Sequence, residues 1–328
     1  MNGQLVTIAL GVPGVALLCF GADALVRGGA ALAKIAKVPS LVIGLTVVAF
    51  GTSAPELVVS INAALRGSGD ISVGNVVGSN ICNIALILGA SALVRPLPVN
   101  RTLFKLDMPA MTFSCVLLTL WCVLSGGIGR FGGGLFFLLL AGYLARRFHT
   151  ARHDPDEAAA LAAEADEAPP MRWYRAAALT AVGIVMLVLG AKLFVDGAVV
   201  AARMLKVSEA VIGLSLVALG TSLPELATSI AAAARGECDI AVGNVVGSNL
   251  FNVLCILGVA PLVSPMAAPQ VNLFDFAVMC LTAGLLWVMM LTGRSISRRE
   301  GAVLFAIYVL YVVKLAKFPA WGAWGAGI

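Results

Sequence analysis

Two glutamates stand where a carboxylate is costly. Glu56 lies in AFGTSAPEL and Glu225 in ALGTSLPEL, each directly after a proline and in the middle of a long apolar run. Hydrocarbon penalises charge steeply, so an ionisable residue at such depth is by default part of a functional site. No Lys or Arg lies within the core of either run to neutralise it. The prolines add to the chemistry. Pro55 and Pro224 lack an N–H and clash with the preceding turn, which pushes Ala54 and Leu223 out of helical geometry. The spacing predicts a helix that breaks just before each proline. Backbone carbonyls near Ala49 to Thr52, and near Ala218 to Thr221, then lose their helical partners and need others within lipid. A desolvated cation supplies one. Each glutamate falls in the first turn of the second half-helix, where the macrodipole favours a carboxylate. Thr52, Ser53, Thr221 and Ser222 supply hydroxyl oxygens at the break, where helix capping is the other role open to them.

A second polar motif follows each glutamate: ISVGNVVGSNICN in one place and IAVGNVVGSNLFN in the other. Ser79 and Asn83 are four positions apart, as are Ser248 and Asn252, so each pair shares one helix face. Gly74 and Gly78, and likewise Gly243 and Gly247, form a small-residue face that lets helices approach closely, and the polar residues then reach the centre. Together the donors are two carboxylates, two amides, several hydroxyls and loose carbonyls, with no thiolate or imidazole. Hard oxygen ligands select sodium, calcium, magnesium or manganese over zinc or copper. Calcium accepts irregular coordination by mixed carbonyl and carboxylate oxygens, whereas magnesium dehydrates reluctantly and suits the set less.

The elements that must position these residues are membrane helices. The chain has 328 residues, 60% hydrophobic and only 12% charged, where soluble domains carry about 25% charged residues. Apolar runs tile it at roughly 5–35, 40–65, 71–94, 106–125, 128–146, 174–205, 210–234, 240–263, 273–292 and 301–318, ten spans in all. Backbone hydrogen bonding leaves helices as the spanning form for runs this long and continuously apolar. The first and sixth exceed one perpendicular crossing and are expected to tilt or to extend beyond the hydrocarbon. The Leu5–Phe20 run has neither a basic leader nor a small-residue cleavage site, so it reads as a span and not as a signal peptide.

Residues 148–172 form a polar linker with Asp154, Asp156, Glu157, Glu164, Asp166, Glu167, Pro169 and Pro170. His149 and His153 read as part of a solvated basic loop. The seven cysteines read as apolar packing residues. With the N-terminus outside, inner loops collect about twice the Lys and Arg of outer ones, as the positive-inside rule requires. The linker is then cytoplasmic, both termini are outside, and the expected location is the cell (inner) membrane. Basic residues are scattered among short loops, which argues against nucleic acid. No nucleotide, nucleophile–base or metal-hydroxide motif points to an enzyme, and no cofactor or protein partner is expected beyond the lipid bilayer.

The two polar motifs belong to one internal repeat. The segment from Val42 (VIGLTVVAFGTSAPEL…) aligns without a gap to that from Val211 (VIGLSLVALGTSLPEL…), within motifs 41–89 and 210–258. Each sits in a five-span unit, 1–147 and 173–328. Five is odd, so the second unit enters the membrane from the opposite side, an inverted repeat of the kind that holds substrates near the midplane. In register, Asp23 and Arg27 match Lys192 and Asp196 with charge order reversed; each i, i+4 pair is expected to form a structural ion pair.

The paired GTSAPE and GTSLPE, each followed by GNVVGSN, resemble the alpha-repeats of the calcium/cation antiporter superfamily and look closest to prokaryotic sodium/calcium exchangers. The resemblance covers the ten-helix plan; it is weak in the fourth, fifth, ninth and tenth spans. It implies secondary active antiport of calcium and sodium. Glu56 and Glu225 would grip calcium with Thr52 and Thr221. Sodium would use overlapping sites that add Ser53, Ser79, Ser222, Ser248 and the backbone oxygens of Ala49 and Ala218, with Asn83 completing the centre. It also implies alternating access by sliding of the first and sixth helices. Better understood exchangers carry Asp where this chain has Asn252, so both copies here end in Asn. Two formal charges are neutralised by one calcium or two sodium ions; a third sodium would leave net charge in low dielectric. Burial raises the proton affinity of carboxyls in general, so antiport of calcium, or of another divalent cation, against protons is the alternative reading.

Overall fold

The structure, a computed structural model, describes residues 2–153, 171–204, 218–268 and 271–317. Apart from four two-residue strands and the connections, the described chain is helical. Residues 205–217, which include the start of the second repeat motif, and 154–170, which include all the acidic residues of the linker, lie outside the described residues.

The longest elements are α1 (Asn2–Ala36) and α7 (Trp173–Met204). Each extends about 50 Å at 1.5 Å per residue, beyond the roughly 30 Å hydrocarbon layer. They lie side by side and antiparallel. A Cβ at Gly21 would come within 2.9 Å of the Leu187 nitrogen, and one at Gly190 within 2.8 Å of the Gly14 oxygen. Only glycine permits that backbone approach, so the two helices form one tightly seamed pair.

Helices α2 (Ser40–Thr52) and α3 (Ala54–Leu65) meet at 48°. Their counterparts are α8 (Ala218–Thr221) and α9 (Leu223–Arg235). The breaks fall at Ser53 and Ser222, whose ψ angles of 7° and 6° leave the helix. This is one residue earlier than expected. Ala54 and Leu223 already open the next helices, and Pro55 and Pro224 take the first turn, where a missing N–H costs nothing.

Helices α4 (Gly69–Val94) and α10 (Cys238–Val263) are the centre of the molecule; 78% and 89% of their apolar windows are buried. Each changes to π-helical hydrogen bonding midway, over Cys82–Leu88 and Phe251–Ile256. Around them stand α5 (Leu103–Ser125), α6 (Arg130–His153), α11 (Leu273–Gly293) and α12 (Arg298–Lys317). Among the described residues, seven helices are long and apolar enough to cross a membrane, or eight with the bent α2–α3 pair taken as one span. Because α6 runs through His153, His149 and His153 lie on an exposed helical turn with rings stacked at 4.3 Å, and not in a loop.

The strands tie the two halves together. β1 (Leu97–Pro98) pairs with β4 (Ser295–Ile296), and β2 (Gly127–Ile128) with β3 (Met266–Ala267), both antiparallel. α5 starts beside β1 and ends beside β2; α11 starts beside β3 and ends beside β4. The two helices therefore run in opposite directions between the same two ends of the molecule.

Asp23 and Arg27 form the expected ion pair at 3.0 Å, and Arg235 also reaches Asp23. The second expected pair does not form: among the described residues Lys192 and Asp196 make no ion pair. Both side chains are exposed, where an ion pair gains little. Further from the repeat, Asp107 and Arg147 meet at 3.4 Å in complete burial, and Tyr143 donates to Asp107 at 2.8 Å. All seven cysteines are free thiols, five of them buried.

Candidate functional site

Glu56 and Glu225 are 1% and 0% exposed. The helix breaks that carry them face each other, and the serines at the breaks cross over. Ser222 donates its hydroxyl to Glu56 Oε1 at 3.1 Å, and Ser53 donates to Glu225 Oε1 at 2.8 Å. Each carboxylate is thus held by the opposite half of the chain. Ser248 reaches Glu225 Oε1 at 3.5 Å, and Ser222 lies 3.4 Å from the Ser79 hydroxyl. Thr221 and Thr52 bear on Glu56 and Glu225 respectively.

Asn83 and Asn252 sit at the α-to-π transitions of α4 and α10, where the backbone register changes. Their side-chain nitrogens are engaged, by Asn249 at 3.1 Å and by Asn80 at 3.0 Å. Their carbonyl oxygens have no hydrogen-bond partner, nor do Glu56 Oε2 and Glu225 Oε2. Four buried acceptors without donors, two of them carboxylate oxygens, are a costly arrangement for a protein alone. A hard cation satisfies it. Among the described residues no cluster of three or more His, Cys, Asp or Glu exists. The four acceptors are hard oxygens, with no thiolate or imidazole among them.

The backbone contribution differs from expectation at Ala49. Its carbonyl accepts from Ser53 N at 3.0 Å and from the Thr52 hydroxyl at 3.2 Å, so it is engaged and not freed by the break. Gly51 is the carbonyl that position 55 would have served, and Pro55 has no N–H to give. In the second half Ser222 N turns to the Leu219 carbonyl at 3.1 Å, one residue later in the ladder than the equivalent of Ala49, which is Ala218. Ala218 opens α8.

Four asparagines were not singled out from sequence and stand around the site. Asn244 accepts from the Thr52 hydroxyl at 3.0 Å and donates to Ser229 at 2.9 Å and to the Glu225 carbonyl at 3.4 Å. Its counterpart Asn75 donates to Ser60 at 3.2 Å. Asn80 and Asn249 contact the amides of Asn252 and Asn83. The signal was present: both copies of GNVVGSN repeat these asparagines at the same places.

The sodium/calcium exchanger protein family model matches residues 6–148 and 175–316. The chain belongs to this family. A relative, the inner membrane protein YrbG of Escherichia coli, is 34% identical over 291 residues, covering 85% of this chain and 87% of its own. The sodium/calcium exchanger MaX1 of Methanosarcina acetivorans is 33% identical, covering 90% and 94%. A solved structure of the sodium-calcium exchanger NCX_Mj, soaked with sodium and strontium, superposes with a TM-score of 0.81 at 31% identity, covering 95% of this chain and 99% of that one. The chain is therefore a multi-pass membrane cation exchanger, a transporter and not an enzyme.

Proposed function

We propose that this family member exchanges calcium for sodium by alternating access around Glu56 and Glu225. The observation that carries the reading is the crossed pair of carboxylates: each half donates one, each is held by the other half's serine, and each keeps one oxygen free for a cation. Calcium would take Glu56, Glu225, Thr52 and Thr221. Sodium ions would occupy overlapping positions that add Ser53, Ser222, Ser79, Ser248, Asn83 and Asn252, with the backbone oxygens of Ala49 and Ala218 becoming ligands only if they exchange their present partners. Without cations two like charges share a buried site and oppose one another, so an empty transporter resists switching, and a loaded one, near neutral, switches. Exchange becomes obligatory.

The proposed frame is ten spans in two inverted five-helix units, residues 1–147 and 173–328. Residues 148–172 form a cytoplasmic linker, and both termini lie outside the cell membrane. The antiparallel course of α5 and α11 between the two strand pairs supports the inversion.

Since Asn252 is neutral, one calcium or two sodium ions balance the site, and exchange is expected to be electroneutral. Radiocalcium uptake into sealed proteoliposomes tests both claims. A sodium gradient at clamped pH should drive uptake, and an imposed potassium diffusion potential should leave its rate unchanged. Uptake driven only by a proton gradient would replace sodium with the proton as counter-ion. That second reading draws on the same free carboxylate oxygens, each of which has room for a proton. A rate that follows the imposed potential would overturn the electroneutral stoichiometry.

A further inference from the structure

Two relays of amides run from the outer helices to the site, one from each half. Asn80 donates its side-chain N–H to Met279 Sδ in α11 at 3.9 Å and to the Asn249 carbonyl at 3.4 Å, and its Oδ1 accepts from Asn252 Nδ2 at 3.0 Å. Asn249 donates to Met111 Sδ in α5 at 3.5 Å, and its Oδ1 accepts from Asn83 Nδ2 at 3.1 Å. The halves match residue for residue: Met279–Asn80–Asn252 and Met111–Asn249–Asn83. Both methionines, Asn80, Asn249 and Asn252 are 0% exposed, and Asn83 is 1% exposed.

The polarity of each relay is set at its outer end. A thioether sulfur accepts hydrogen bonds and cannot donate one. The sulfur therefore turns the NH2 of Asn80 or Asn249 outward and its oxygen inward. That oxygen takes an N–H of Asn252 or Asn83, leaving the amide oxygen of each as the only acceptor it can offer, and both those oxygens are without a partner. If Asn83 or Asn252 flipped, its oxygen would face the oxygen of Asn249 or Asn80, and an NH2 group would face the cation.

The geometry points to Asn80 and Asn249 as positioning residues, backed by Met279 and Met111, that hold Asn252 and Asn83 with oxygen and not nitrogen toward the transported ion. This rests on the site assigned above. It gives α5 and α11, which lie outside the repeated motif, a part in cation affinity. Losing a residue that orients a metal ligand typically costs about 10–100-fold in affinity.

The unaltered protein is first titrated with calcium, sodium, magnesium and manganese, reading the rise in melting temperature, and a cation that stabilises it is used throughout. Failure of both calcium and sodium at this step sinks the calcium/sodium reading alone, and the relay is then judged with a cation that does bind. Asn249→Leu and Asn80→Leu keep the branched shape of the side chain and remove the acceptor. Each is expected to raise the transport KM about 10–100-fold while Vmax changes little. An unchanged KM, or a loss confined to Vmax, overturns the proposal. Should neither variant fold, Met111→Leu and Met279→Leu remove only the sulfur; each is expected to shrink the cation-induced melting shift, and an undiminished shift in both overturns it.

Discussion

The two halves of the exchanger carry nearly the same motif in different surroundings. In the second half α9 is packed along its length by α1, and Arg235 at its end grips Asp23. In the first half no comparable packing joins α7 to α3 among the described residues, and Arg66, the counterpart of Arg235, is exposed. Ile240 at the start of α10 is fully buried beneath Gly29 and Gly44, whereas its counterpart Ile71 is 59% exposed. The candidate site itself is nearly symmetric, with crossed serines and crossed asparagines. The difference lies in where the α1–α7 pair leans.

The outer helices show the same theme with unequal weight. Tyr143 donates to Asp107 and Tyr311 to Asp275, in both cases across 36 positions of chain. The first pair is sealed in with Arg147; the second is more open, with Lys314 resting over the Phe274 ring at 3.7 Å. A region where the repeat is hard to see in sequence thus keeps one of its hydrogen bonds.

The symmetric part of the comparison predicts the largest effect. Glu56→Gln and Glu225→Gln should each bring calcium uptake down to the level of empty vesicles, because either loss leaves a single charge to hold a divalent ion; one variant transporting normally would break the equivalence of the halves. Next come the outer pairs. Arg147→Leu strands Asp107 in the interior and is expected to cost about 3–5 kcal/mol of stability, read by thermal melting in detergent. Tyr311→Phe removes a single hydrogen bond and is expected to cost only about 1 kcal/mol. Equal losses would mean the two pairs are not unequal after all. The smallest effect belongs to the contact that distinguishes the two faces. Arg235→Gln removes a half-exposed ion pair worth about 0.2–1 kcal/mol. Calcium affinities measured from the two sides of the membrane should shift in opposite directions, by at most about fivefold; equal shifts on both sides would separate the pair from the leaning of α1.

Much of the site was legible from local chemistry. The glutamate after each proline and the serine before it lie within nine consecutive residues, and the structure brings Glu56 to Ser222 and Glu225 to Ser53. The exact break was less legible: proline excludes its neighbour from the helix only as a tendency, and here Ser53 and Ser222 bend instead. The Ala49 carbonyl could not be judged from spacing, since whether Ser53 N–H still reaches it depends on how sharply the chain turns. Lys192 and Asp196 have the spacing of an ion pair and do not form one. Spacing places two side chains on one helix face, but it does not compel two long side chains at a lipid or solvent boundary to meet.

By itself, then, the sequence determined the solvent in which this chain lives, the places where its helices must yield, and the acids that lie there. Each of these follows from hydropathy or backbone sterics over a few neighbouring residues. Tertiary structure alone decided which serine holds which carboxylate, which way the asparagine amides point and which half α1 leans upon. Those choices depend on contacts between segments more than 150 residues apart, and two nearly identical motifs offer no local difference from which to read them.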